Sequence, residues 1–192
     1  MNEIISYNAK VSNIIDMAIT FTTMTRLFKI GSKELIGSEL RKFIIELSTI
    51  AAKGEFEQMH RGFCNWFCQN ILTASKVLKN GVAKPSQPAS YGQGAKVLDI
   101  ALKVCVFYCS LPNPATASQI NPFLHGGVDT PIMNHLKLTY PDTEIPSTTI
   151  QGIDKIIYDT LQDLIVRDIR AKYKDEILPV QYDDILWNKL NR

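Results

Sequence analysis

The chain has 192 residues, 45% of them hydrophobic and 21% charged, the balance of an ordinary globular protein and not of a disordered or fibrous one. That length suits one domain with a sizeable core, or two small helical lobes flanking a cleft, and a formal net charge of +2 names no partner by itself. The opening MNEIISYNAK lacks a basic segment followed by an apolar run, and the most apolar stretch, Val97 to Leu111, is short for a bilayer and carries Asp99 and Lys103, so a soluble cytoplasmic protein with no membrane partner is expected.

Apolar residues at Val11, Ile14, Ile15, Ala18 and Ile19 recur at helical spacing, and the run continues less regularly to Phe28 before Gly31. Ser32 is placed to cap a second helix, whose stripe of Ile36, Leu40, Phe43, Ile44, Leu47 and Ile50 ends before Gly54. A third is predicted from about Glu55 to Lys79, along Phe56, Met59, Phe63, Phe67, Ile71 and Ala74, with Asn80-Gly81 closing it. Pro85, Pro88 and three glycines make residues 81–94 a connecting loop, which delivers the chain into a buried helix at about Ala95.

Residues 111–128 are again rich in proline and glycine and read as loop. Asp129 or Thr130 then caps a helix with Pro131 in its first turn, where the missing N–H leaves no bond unmade. A long amphipathic helix is predicted from about Ser147 to Lys174, and a short closing helix from Asp183 to Leu190. Period-two alternation and internal repeats are both lacking, so the fold class is all-α.

The cysteines form two C-x3-C pairs, Cys64/Cys68 and Cys105/Cys109, in strongly apolar helical segments. Zinc ligands more often come from C-x2-C turns, and a thiol in such a helix packs as a small hydrophobe; four reduced, buried, inert cysteines and no metal site are expected. His60 and His135 receive no role, and Trp66 and Trp187 read as anchors. Between Asn70 and Ser110 five lysines (76, 79, 84, 96 and 103) face Asp99 alone, a locally basic stretch that suits either a phosphate-facing surface or a solvated lysine face.

Two segments carry the functional reading. In Gly92-Gln93-Gly94-Ala95-Lys96 the glycines allow close backbone approach to a phosphate, and the helix expected just beyond points free N–H groups at the same place. Lys96 lies in its first turn with apolar neighbours, and desolvation lowers the pKa of a lysine amine toward the neutral, nucleophilic form. In Gly127-Val128-Asp129-Thr130-Pro131 an aspartate at a helix start is held ionised by N-terminal N–H groups, suited to orient or activate an amine. The bland alternative is a loop end, a solvated lysine and a plain N-cap.

Gly92-x-Gly94-x-Lys96-Val97-x-Asp99, followed by Val128-Asp129-Thr130 opening a helix, resembles the helix-hairpin-helix DNA glycosylases, in particular the bifunctional members that remove oxidised purines. The resemblance runs from Ser90 to about Leu138. It implies Lys96 as the nucleophile that attacks the sugar C1′ and forms a Schiff base, and Asp129 as its activating partner. Gly92 and Gly94, with Gln93 between them, would approach the DNA backbone; the basic stretch, by its charge alone, offers Lys76, Lys79 and Lys84 as further DNA-binding residues. The resemblance also implies a duplex carrying a damaged base as partner, with no cofactor. Ser90-Tyr91 stands where the family has Leu-Pro, and the 33 residues from Lys96 to Asp129 are similar to the spacing of the archaeal 8-oxoguanine branch. Tyr91 to Lys96 and His125 to Asp129 are also similar to segments of uncharacterised bacterial all-α proteins. The alternative function is a non-catalytic helical binding module.

Overall fold

A computed structural model describes residues 6–77, 81–146 and 149–190. Helix α1 (Tyr7–Phe21) is capped by the Ser6 hydroxyl, which accepts from Ala9 N, and a single 3-10 turn at Thr25–Leu27 follows it. Helix α2 (Ser32–Glu46) starts after Gly31, whose φ of +87° suits glycine, so Ser32 is its first residue and not its cap. Helix α3 (Lys53–Asn70) is entered through Glu55, whose carboxylate accepts from the backbone N of Ala51 (2.7 Å) and Ala52 (3.1 Å).

The third helix ends at Asn70, short of the expected Lys79, which lies outside the described residues. From Ile71 the backbone is extended and finds its partners in the chain that returns after Gly81: Thr73 N donates to Gln87 O and Ala89 N to Ile71 O, both at 2.8 Å. Two residues, β1 (Lys76–Val77), pair antiparallel with β2 (Ala83–Lys84). Part of the expected loop is therefore a small hairpin, set on an otherwise helical protein.

Helix α4 (Tyr91–Leu102) begins four residues earlier than expected. Ser90 and Gln93 form a reciprocal cap, Gln93 N donating to the Ser90 hydroxyl (3.2 Å) and Ser90 N to Gln93 Oε1 (2.9 Å). The helix continues into a π-helical stretch at Lys103–Tyr108. The proline-rich segment predicted as loop contains α5 (Pro114–Ile120), capped by Asn113, with proline in its first turn. Helix α6 (Thr130–Thr139) is capped by Asp129 as expected, its Oδ1 accepting from Ile132 N at 3.0 Å.

Asp154 caps α7 (Lys155–Tyr173), and α8 (Tyr182–Leu190) closes the chain. The expected start of the long helix at Ser147 lies outside the described residues; the described part of that segment is a 3-10 turn at Ile150–Gly152. The described residues are all-α apart from the hairpin, and no helix among them is long and apolar enough to cross a membrane.

Helix α4 is the spine of the fold. Val97, Leu98, Ala101 and Leu102 enter one hydrophobic cluster with α1, α2, α3 and α5, while Tyr91 and Ala95 enter a second with α6, α7 and α8. Burial on both flanks leaves a third face, at Lys96, Ile100 and Lys103, turned to a cavity.

Candidate functional site

The cavity has a volume of about 840 Å3, inside the range of about 300–1,000 Å3 usual for small-molecule sites. Lys96 and Asp129 both line it, although 33 residues separate them in the chain. Lys96 is half-buried, and burial holds its amine below the usual lysine value against the opposing pull of the Asp129 and Asp183 carboxylates. Asp129 comes to the cavity through its capping role: the cap fixes the side chain at the N-terminus of α6, beside a backbone that also presents Gly127 and Val128.

Other residues of the lining carry no distinct functional signal in the sequence. Met17 and Phe21 come from α1 and Trp187 from α8, all three largely exposed, so the mouth of the cavity carries an apolar, partly aromatic rim. Lys33, on the exposed side of α2, is the further cation there. Asp183 and Asp184 of α8 complete the lining with Lys103.

Lys103 is buried and paired with both Asp183 and Asp184, and the latter also accepts from Tyr108. Burial raises the Asp183 carboxyl above the ordinary carboxylate range, and the neighbouring lysine counteracts it. Its Oδ1 is buried without a hydrogen-bond partner among the described residues. No spacing rule links Lys103 to residues 80 positions away, and this part of the site was invisible in the sequence.

The structure assigns the two glycines to packing. Both lie within α4 and are buried. A Cβ on Gly92 would fall 2.5 Å from Ile153 Cβ and 2.6 Å from Ile150 O, and one on Gly94 would fall 2.9 Å from Phe67 Cβ. They allow α4 to touch α3 and the 150–153 turn, and Gly92 N donates to Ile153 O at 3.0 Å. Gln93 is buried in the cap. Expectation placed all three against a DNA backbone; an early helix start, driven by the Ser90 cap, turns them inward instead. Lys76 is exposed on β1 and Lys84 reaches Gln151 at 3.4 Å, neither of them lining the cavity, and Lys79 lies outside the described residues.

All four cysteines are free thiols. Cys64 and Cys105 are buried, as expected, and burial pushes the Cys105 thiol up to about 12. Cys109, at the end of the π-helical stretch, is exposed and Cys68 is half-buried, so the expectation of four inert thiols holds for only half of them.

A second polar cluster, none of whose members lines the cavity, is built on the adjoining face of α4. Asp99 accepts from His60 Nε2 (2.8 Å) and from the Tyr158 hydroxyl (2.7 Å), and His125 spans Tyr158 (2.9 Å) and Glu57 (3.0 Å). Its members come from α3, α4, α7 and the segment before α6, too far apart in the chain for any motif to reveal them. Comparison with known protein families, curated proteins and solved structures returns no match for this chain.

Proposed function

We propose that the cavity is the active site of a DNA glycosylase with lyase activity, in which Lys96 attacks C1′ of a damaged nucleotide turned out of the duplex. The observation that carries this reading is the meeting of Lys96 and Asp129 on one cavity wall. The apolar rim supports it, since Phe21 and Trp187 offer surfaces on which a base taken out of the stack can rest.

The chemistry follows from the groups present. The neutral fraction of Lys96, enlarged by burial, forms the N–C1′ bond as the glycosidic bond breaks and its electron pair departs with the base, which takes up a proton. Asp129 accepts the proton shed by the attacking nitrogen and stabilises the positive charge that develops there. The nitrogen lone pair then breaks the C1′–O4′ bond, O4′ takes back the proton held by Asp129, and the opened sugar is left joined to Lys96 through a protonated imine at C1′. Grip on the DNA belongs to lysines in this account, Lys33 at the cavity and Lys76 and Lys84 on the hairpin, because Gly92 and Gly94 are spent on packing.

Single-turnover excision from duplexes carrying an oxidised purine tests the reading. The wild type should release the base. Asp129→Asn should slow release at least about tenfold while leaving binding nearly intact, since an amide still caps α6 but carries no charge. Equal release by wild type and Asp129→Asn would remove Asp129 from the chemistry, and no release from any oxidised-purine duplex would favour a non-catalytic helical module.

A further inference from the structure

Beside the cavity wall on α4, but outside the cavity lining, four polar side chains from four separate parts of the chain converge on one point. His60 comes from α3, Asp99 from α4, Tyr158 from α7 and His125 from the segment leading into α6. The oxygen of Tyr158 lies 2.7 Å from Asp99 Oδ2, 2.9 Å from His125 Nδ1 and 3.2 Å from His60 Nε2. His60 Nε2 is 2.8 Å from Asp99 Oδ1, and the ligating atoms of His60, Asp99 and His125 all fall within 4.8 Å of one another.

We infer that this cluster is a structural site for a divalent transition-metal ion, with His60 Nε2, His125 Nδ1, one Asp99 oxygen and the Tyr158 oxygen as its four ligands.

Geometry is the first support. Ligand atoms about 2.1 Å from a tetrahedral zinc ion lie about 3.4 Å apart, and the separations here, from 2.7 to at most 4.8 Å, bracket that value.

Charge is the second. Asp99 has a side-chain exposure of 1% and His60 of 2%. With both imidazoles neutral, the carboxylate places a full negative charge in the interior, which is unfavourable without a counter-charge. The ion supplies it.

The outer partners are the third. Glu57 is half-buried and accepts from His125 Nε2 at 3.0 Å. That contact puts the ring proton on Nε2 and turns the Nδ1 lone pair toward the cluster, the carboxylate–histidine arrangement that orients metal-binding imidazoles. On His60 the ring nitrogen away from the cluster, Nδ1, faces Cys64 Sγ at 3.8 Å.

The consequence is mechanical. Asp99 follows Lys96 by one turn on α4, and His125 precedes Asp129 by four residues. An ion held between them clamps together the two segments that carry the cavity's lysine and aspartate, and joins both to α3 and α7. All four ligand positions are filled by protein and the site is closed, as in structural rather than catalytic zinc centres.

Zinc titration of the full chain tests the inference. Protein stripped with dipicolinate and dialysed should take up one zinc per chain, counted by plasma mass spectrometry after desalting, and should melt higher when loaded. Asp99→Asn and His125→Gln should each weaken zinc binding by more than about 100-fold, since loss of a ligand exceeds the cost of losing an outer partner. Near-UV circular dichroism checks that the variants fold, and His125→Gln, at the edge of the cluster, decides alone should Asp99→Asn not fold. Cobalt should bind with tetrahedral d–d bands and no thiolate charge transfer. No zinc uptake by the wild type would overturn the site and point to an imidazolium as the balancing charge. Undiminished affinity in the folded variants, or a thiolate band that places the metal on Cys64 and Cys68, would overturn it equally.

Discussion

Gly92→Ala should destabilise the fold by about 3 kcal/mol, and the figure is built from three terms. A methyl group here meets Ile153 Cβ at 2.5 Å and Ile150 O at 2.6 Å, and the second of these is backbone, so relief requires the 150–153 turn to move. Overpacking of this kind costs about 1–3 kcal/mol, and the two short contacts put it at the upper end. Displacing the turn also strains the bond from Gly92 N to Ile153 O, worth about 1 kcal/mol. Against these stands the better helix propensity of alanine, at most about 1 kcal/mol in a first turn. For a chain of this size the sum corresponds to a fall in Tm of about 6–12 °C. Gly62 supplies the opposite sign on a neighbouring helix: it is exposed on α3 with nothing within 4 Å of its Cβ position, and Gly62→Ala should raise Tm by about 2 °C. Thermal unfolding followed by circular dichroism reads both. A Gly92→Ala protein as stable as wild type, but weakened in DNA binding, would restore the phosphate-contacting role and refute the packing one.

Other consequences are equally open to measurement. A thiol reagent should modify Cys109 quickly in the native protein and Cys64 and Cys105 only on unfolding, with four thiols counted in denaturant; a lower total would reveal a disulfide. Asp168 is fully buried and accepts from Tyr182 (2.7 Å), Tyr140 (3.0 Å) and Lys172 (2.8 Å), so Asp168→Ala should cost about 3 kcal/mol by stranding these donors. Burial works against ionisation of this carboxyl, but the three donors outweigh it and lower its pKa in the fold; its contribution is therefore present above the ordinary value of 3.8 and is lost as pH falls through the lower folded one. The stability gap between wild type and Asp168→Ala should narrow correspondingly in acid, and a gap that widens would contradict the assignment. Charge reversal at Lys76 or Lys84 should weaken duplex binding and flatten its dependence on salt; affinity indifferent to both would take the hairpin out of the interface.

Local signals carried most of the helices and one half of the cavity. The amphipathic stripe of α2 and the Asp129 cap with Pro131 behind it are effects within one turn of chain, and both were legible. The end of α3 was not, because Ile71 to Thr73 fit a helical stripe yet leave the helix to bond with Gln87 and Ala89, a choice made by distant chain. The glycine segment was misread for a related reason. Gly92 and Gly94 have the composition of a loop end, whereas Ser90 and Gln93 form a capping box that starts the helix before them. Asp183, Trp187 and the His60–Asp99–Tyr158–His125 cluster are assembled by tertiary packing alone. Lys103, buried between Asp183 and Asp184, belongs to the site itself, so Lys42, exposed on α2, is the appropriate control for Lys96.

Borohydride trapping addresses the role of Lys96 most directly. If its amine attacks C1′, reduction of the imine on a duplex with an oxidised purine or an abasic site should yield a stable protein–DNA adduct, with the sugar remnant mapped to the peptide containing Lys96 by mass spectrometry. The yield should rise with pH as the amine, held below 10.5 by burial, gives up its proton. Lys96→Ala and Lys96→Arg should both abolish the adduct, the latter because a guanidinium stays protonated, while Lys42→Ala should trap as wild type does. An adduct that persists in Lys96→Ala, or one that maps to another lysine, would contradict the account.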